Sequence, residues 1–170
     1  EYAANTIIKN SKFPEKSPKE KLHWPYDFRF TKSYKLSNES LKITFEIEAE
    51  KGMPFMLGYH PAFKLSGHKT EICKTKSEEV TLQKIMDGGS TAFPVLNTNE
   101  IKLIKNTGYC ISLKTKGFNN FMLWTEVPNM LCIEPITAYP YTEGEPPLSK
   151  KLVNLSNGKD LFEVVIKPYI

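Results

Sequence analysis

Leu41-Lys42-Ile43-Thr44-Phe45-Glu46-Ile47-Glu48 is the stretch that decides the fold class. Leu41, Ile43, Phe45 and Ile47 recur at a period of two, with Lys42, Thr44, Glu46 and Glu48 between them. A strand with this spacing has one apolar face and one wet face. Just upstream, Tyr26, Phe28 and Phe30 alternate in the same way, and Ser37-Asn38 reads as the turn joining the two segments into a hairpin. Short alternations return at Val80 and Leu82, at Tyr109, Ile111 and Leu113, and at Phe162, Val164 and Ile166. Residues 121–124 and 130–133 are brief apolar runs, the pattern of strands buried on both faces.

Between these segments lie twelve prolines and nine glycines, with Asp87-Gly88-Gly89 and Asn157-Gly158 as clear turn signals. No segment carries a sustained helical stripe. Many short strands at turn-rich spacing predict an all-β chain built as an antiparallel β-sandwich. Helix should not exceed roughly a tenth of the residues, against the usual third. The 170 residues suffice for a single domain, 1–170, with a real core. Residues 11–21 and 141–151 read as exposed loops.

Composition narrows the function. A hydrophobic fraction of 40% and a charged fraction of 25% are ordinary for a globular domain. No apolar run approaches the roughly 20 residues of a membrane-spanning helix. The net charge of +4 comes from scattered lysines and one arginine, Arg29. No basic stripe interleaves with aromatics, so neither nucleic acid nor membrane is an expected partner. Cys73, Cys110 and Cys132 are odd in number and widely spaced, which argues against a zinc knuckle or a disulfide framework and fits a cytoplasmic setting. The first residues lack the basic and apolar regions of a signal peptide, and also an initiator Met.

Two positions share a local grammar. His60 follows the strand-like run 53–59 and precedes Pro61; Glu134 follows the apolar run 130–133 and precedes Pro135. A residue before proline is pushed into extended backbone, and proline donates no ladder hydrogen bond. Each should therefore sit where a strand leaves its sheet. A carboxylate at the end of a buried strand is a candidate functional acid. On the residues alone, a histidine at a strand end is more often scaffold and a glutamate there more often a solvated rim residue, so the pair is only a suggestion. Trp124 ends its own apolar run; its indole could stack on a sugar ring or simply fill the core. His23 and His68 read as surface residues. There is no phosphate-binding glycine loop and no nucleophile elbow, and Glu134 has no obvious second carboxylate for glycoside hydrolysis.

The segment Met53-Pro54-Phe55-Met56-Leu57-Gly58-Tyr59-His60-Pro61-Ala62-Phe63 resembles a signature of aldose 1-epimerase-like proteins, in which a strand ends in His-Pro-x-Phe. Trp124-Thr125 followed by Met130-Leu131-Cys132-Ile133-Glu134-Pro135 resembles their second signature, a tryptophan and then Cys-Ile-Glu-Pro. Trp24-Pro25-Tyr26-Asp27-Phe28 resembles the family's entry into a strand hairpin. The likeness covers nearly the whole chain and is greatest to the bacterial branch that also resembles glucose-6-phosphate 1-epimerases.

The resemblance implies a galactose mutarotase-like supersandwich, of which this chain corresponds to the later portion and is incomplete on its N-terminal side. It implies a mutarotase that interconverts the α and β anomers of an aldohexose, with His60 as general acid, Glu134 as general base and Trp124 beside the sugar. The partner would be a small-molecule sugar, with no metal or organic cofactor; the alternative is a non-catalytic carbohydrate-binding sandwich. The chain departs from the pattern at Ile136, where many relatives have tryptophan, and at Tyr139-Pro140-Tyr141, where they often have an aspartate. The side-chain tips of His60 and Glu134 should lie roughly 5 to 8 Å apart, each within hydrogen-bond reach of one ring.

Overall fold

The computed structural model describes residues 1–67, 70–105, 107–140 and 152–169. It is nearly all β, with 48% strand and 3% helix, and every strand pair is antiparallel. The strands are β1 (Ile8–Lys9), β2 (Lys21–Leu22), β3 (Phe28–Leu36), β4 (Leu41–Ala49), β5 (Pro54–Phe55), β6 (Ala62–Lys64), β7 (Ile72–Lys74) and β8 (Glu79–Thr81). After the short helix α1 (Leu82–Met86) come β9 (Phe93–Val95), β10 (Glu100–Ile104), β11 (Cys110–Lys116), β12 (Asn120–Trp124), β13 (Met130–Ile136), β14 (Val153–Asn154) and β15 (Lys159–Tyr169).

A seven-stranded sheet runs β3-β4-β15-β11-β10-β7-β8, and a four-stranded sheet runs β6-β13-β12-β9. The first hairpin is β3–β4, paired from Phe28↔Ala49 to Leu36↔Leu41. Along β4 the buried residues are Ile43, Phe45 and Ile47, as the period of two predicts. The cross-strand pairs Ile43↔Val164 and Phe45↔Phe162 continue this apolar face onto β15. The opposite face carries charge pairs such as Lys42–Glu163 and Lys159–Glu46.

Two clusters cover the apolar face. One lies between the sheets, where Ile101, Leu103 and Leu113 meet Phe121, Leu123, Leu131 and Ile133. The other places Ile43, Phe45, Phe162 and Val164 against Met53, Phe118 and Leu155. At roughly 25 cal/mol per Å² of apolar area removed from water, such burial is the main force holding the sheets together. Beyond β4 the cover is partial: Phe28 packs against Tyr2, whereas Phe30, Tyr34 and Leu36 on the edge strand β3 are exposed.

Several local expectations shift. Val80 and Leu82 are both buried, but Thr81 caps a helix through its side chain, which accepts from Lys84 N–H, so the alternation ends at Thr81. Tyr26 and Tyr109 fall outside the strands they were expected to begin. In β12 only Phe121 and Leu123 are buried, so that run has a single core face; β13 is buried at every position from Leu131 to Ile136. His23 is exposed, as expected. His68 and the loop at 141–151 lie outside the described residues. Among the described residues, no helix is long and apolar enough to cross a membrane.

Candidate functional site

The register of the four-stranded sheet assembles the site. β12 and β13 pair as Trp124↔Cys132 and Met122↔Glu134. β13 and β6 pair as Cys132↔Ala62, and an isolated bridge joins Gly58 to Ile136. Both belong to one register, and that register sets His60 directly opposite Glu134. Backbone bonds from Tyr59 N–H to Pro135 O (3.0 Å) and from Ile133 N–H to Pro61 O (3.2 Å) hold the segment in place on either side. Gly58 lets the chain approach this closely, since a Cβ there would come to 3.3 Å from Ile136 Cγ2.

This differs from the strand-end reading in one respect. β13 does not end at Glu134 but runs through Pro135 to Ile136. In an antiparallel pair the N–H and C=O of one residue point to the same side. The Pro135 carbonyl faces Tyr59, so its missing N–H also faces the edge segment and takes nothing from the ladder with β12.

Because side chains alternate across a strand, Phe121, Leu123, Leu131 and Ile133 point into the core, while Met122, Trp124, Cys132 and Glu134 share the other face. There His60 Nε2 lies 3.1 Å from Glu134 Oε1. The two are thus in direct contact rather than 5 to 8 Å apart. A carboxylate this buried needs a partner, and the facing imidazole is its ion-pair partner. The His60 and Trp124 rings meet edge to face, with centroids 6.1 Å apart and an interplanar angle of 85°. All three candidates read from the sequence therefore come together.

The pair is asymmetric: the Glu134 side chain is 9% exposed and that of His60 is 60% exposed. Burial pushes the Glu134 carboxyl above its usual range, and the His60 charge pulls it partly back. A carboxyl raised in this way holds a proton more strongly and is a better base near neutral pH.

Cys132 was not singled out from the sequence, yet it belongs to this cluster. Its thiol is raised by burial and then by the charge of Glu134, and it donates to Met130 Sδ at 3.4 Å. The signal was available: Cys132 and Glu134 are two residues apart in one strand and so share a face. Arg29, the one arginine, is engaged elsewhere, bound to Glu1 Oε1 at 2.6 Å and facing Glu48 Oε2 at 3.6 Å.

The solved structures similar to this chain share its fold. A galactose mutarotase-like protein from Lactobacillus casei superposes with a TM-score of 0.71 at 17% identity, over 97% of this chain and 68% of that one. A galactose mutarotase related enzyme from Lactobacillus acidophilus gives 0.67 at 16% identity, over 96% and 67%. A protein of Escherichia coli K12 gives 0.64 at 16% identity, over 85% of this chain and 61% of that one. The chain therefore spans 61 to 68% of the length of these structures. No curated protein matches it significantly in sequence. Residues 9–136, most of the chain and including both proline-flanked motifs, match the model of the aldose 1-epimerase family, and the chain belongs to that family.

Proposed function

We propose that the protein, read as one domain, is a mutarotase for a free aldohexose, with Glu134 as general base and His60 as general acid. The observation that carries this reading is the 3.1 Å contact between an exposed imidazole and a buried carboxyl on one face of the sheet. Mutarotation needs two proton movements at one carbon. A base takes the proton of the anomeric hydroxyl while an acid protonates the ring oxygen. The ring opens, the carbonyl turns over, and closure reverses both transfers. Each positioned group contributes about 10² to 10⁴-fold.

In the resting pair, His60 and Glu134 face each other as an ion pair. The sugar replaces that contact: its anomeric hydroxyl donates to Glu134, and its ring oxygen accepts from His60. Glu134 is fixed in a seven-residue strand, so His60 is the group that yields. Trp124, half-exposed and edge-on to His60, gives the ring an apolar wall. A free sugar is favoured over a sugar phosphate because the one arginine is held by two carboxylates, leaving only lysine point charges to meet a phosphate.

Anomer exchange measured by NMR on glucose and galactose tests the reading. Exchange above the buffer rate that is lost in Glu134→Gln supports it. Sugar-dependent quenching of tryptophan fluorescence without exchange would instead make this a carbohydrate-binding sandwich. A clear preference for glucose 6-phosphate would overturn the substrate class.

A further inference from the structure

Proton transfer to a sugar makes no use of Cys132, although this buried thiol faces the same patch as the acid and base. A His60 ring nitrogen, Cys132 Sγ and a Glu134 carboxylate oxygen all lie within 4.8 Å of one another. Met130 Sδ stands 3.4 Å from the thiol on its far side from Glu134 in sequence. We infer that His60, Cys132 and Glu134 form a binding site for a soft or borderline divalent cation, Zn²⁺ or its heavier congener Cd²⁺.

The donor set selects the ion. Hard cations such as Ca²⁺ and Mg²⁺ take six or more oxygens, and here the described cluster offers one carboxylate. One imidazole, one thiolate and one carboxylate match the nitrogen, sulfur and oxygen ligands that Zn²⁺ accepts in tetrahedral sites. With bonds of about 2.0 to 2.3 Å, tetrahedral ligand atoms sit roughly 3.3 to 3.6 Å from each other. The Nε2–Oε1 separation is already 3.1 Å, and the remaining spacing, within 4.8 Å, closes if the donor side chains turn onto the ion. Cys132 and Glu134 are held two residues apart on β13, an internal strand of its sheet, which leaves His60 as the adjustable ligand. The ion replaces the thiol proton, which leaves to solvent, and water or the Met130 thioether completes the tetrahedron.

Binding of the ion stands independently of the sugar reading. Its consequence rests on that reading: an ion on both proton-transferring groups blocks anomer exchange, so the metal would act as an inhibitor and not as a cofactor.

The probe is Cd²⁺ titrated into the metal-free chain, followed by the thiolate-to-cadmium charge-transfer absorption, with Zn²⁺ as competitor. The expected result is a saturable band at one Cd²⁺ per chain, displaced by Zn²⁺. The band should vanish in Cys132→Ser and persist in Cys73→Ser and Cys110→Ser. His60→Ala, at an exposed position that should not disturb folding, should weaken binding at least about tenfold, the lower end of what losing even an outer-shell partner costs a metal site. No saturable band, a band unchanged in Cys132→Ser, or equal affinity in His60→Ala would overturn the proposal. Exchange activity is read separately, so a silent sugar assay with an intact band refutes only the mutarotase reading, and the converse refutes only the metal site.

Discussion

Replacing the buried member of the pair gives the sharpest test of the chemistry. Glu134→Gln keeps the shape and one acceptor oxygen but cannot take a proton at neutral pH. The loss of a positioned base is worth about 10² to 10⁴-fold in turnover, equivalent to about 3 to 5 kcal/mol at the transition state. The structure places Glu134 toward the upper end, because a side chain only 9% exposed leaves little room for water to act in its place. His60→Asn should fall toward the lower end, since water can reach a group that is 60% exposed. The fold should not suffer from Glu134→Gln. Burial raises the Glu134 carboxyl, so stability falls as the pH climbs from its unfolded-state pKa, and the full cost of ionised Glu134 stands above its folded-state pKa. The amide removes that cost, and the variant should be at least as stable as the parent at neutral pH, with the gain disappearing in acid. The assay is anomer exchange by NMR against the buffer rate, with urea unfolding of the same samples. Near-normal exchange by well-folded Glu134→Gln would refute the assignment. Activity lost in step with the folded fraction would show a scaffold role instead.

The double variant His60→Asn with Glu134→Gln should lose far less than the product of the two single losses, as for groups that act as a unit; multiplicative losses would count against a shared step. The acid limb of the pH–activity profile should lie above the usual carboxylate range, because burial raises the base; a limb at the ordinary glutamate value would contradict this. Gly117→Ala should destabilise more than Gly108→Ala in denaturant melts. Both glycines have φ of +84°, but only at Gly117 would a Cβ strike a ring, at 2.5 Å from Phe162 Cδ1. Phe121→Ala, at a fully buried ring between the sheets, should cost about 3 to 5 kcal/mol in the same measurement.

The architecture was legible because an antiparallel sheet with one covered face writes a period of two into its sequence. β4 carries that signal cleanly, since its outer face bears charge pairs, whereas Leu161 and Val165 on the outer face of β15 blur it. Where burial is two-sided the signal fades. β13 read as an apolar run with an endpoint, and its continuation through Pro135 depended on which side the missing N–H faced, a property of the neighbouring strand. Helix α1 was invisible for a different reason: five residues are too few to show a helical stripe. At the site, the residue types and their proline context were readable, but the 3.1 Å contact was not. It follows from a register set by residues 58, 62, 132 and 136.

That register also gives a meaning to the proline that follows each of His60 and Glu134. In an antiparallel ladder, pairs that exchange two hydrogen bonds alternate with pairs that exchange none, and the latter bring their side chains closest. The bonds from Tyr59 to Pro135 and from Ile133 to Pro61 mark 59/135 and 61/133 as the bonded pairs. His60/Glu134 is therefore the close, unbonded pair between them. Each flanking pair has lost one of its two bonds to a proline. The two segments meet at their nearest point where the ladder joining them is weakest. On its other side, β13 keeps five consecutive pairs with β12, from Asn120↔Ile136 to Trp124↔Cys132. Glu134 is thus anchored while the His60 segment is an edge held by half a ladder. Under the proposed function, a base must keep its position while an acid withdraws to admit a sugar ring, opposite demands on the same sheet that the two prolines would reconcile.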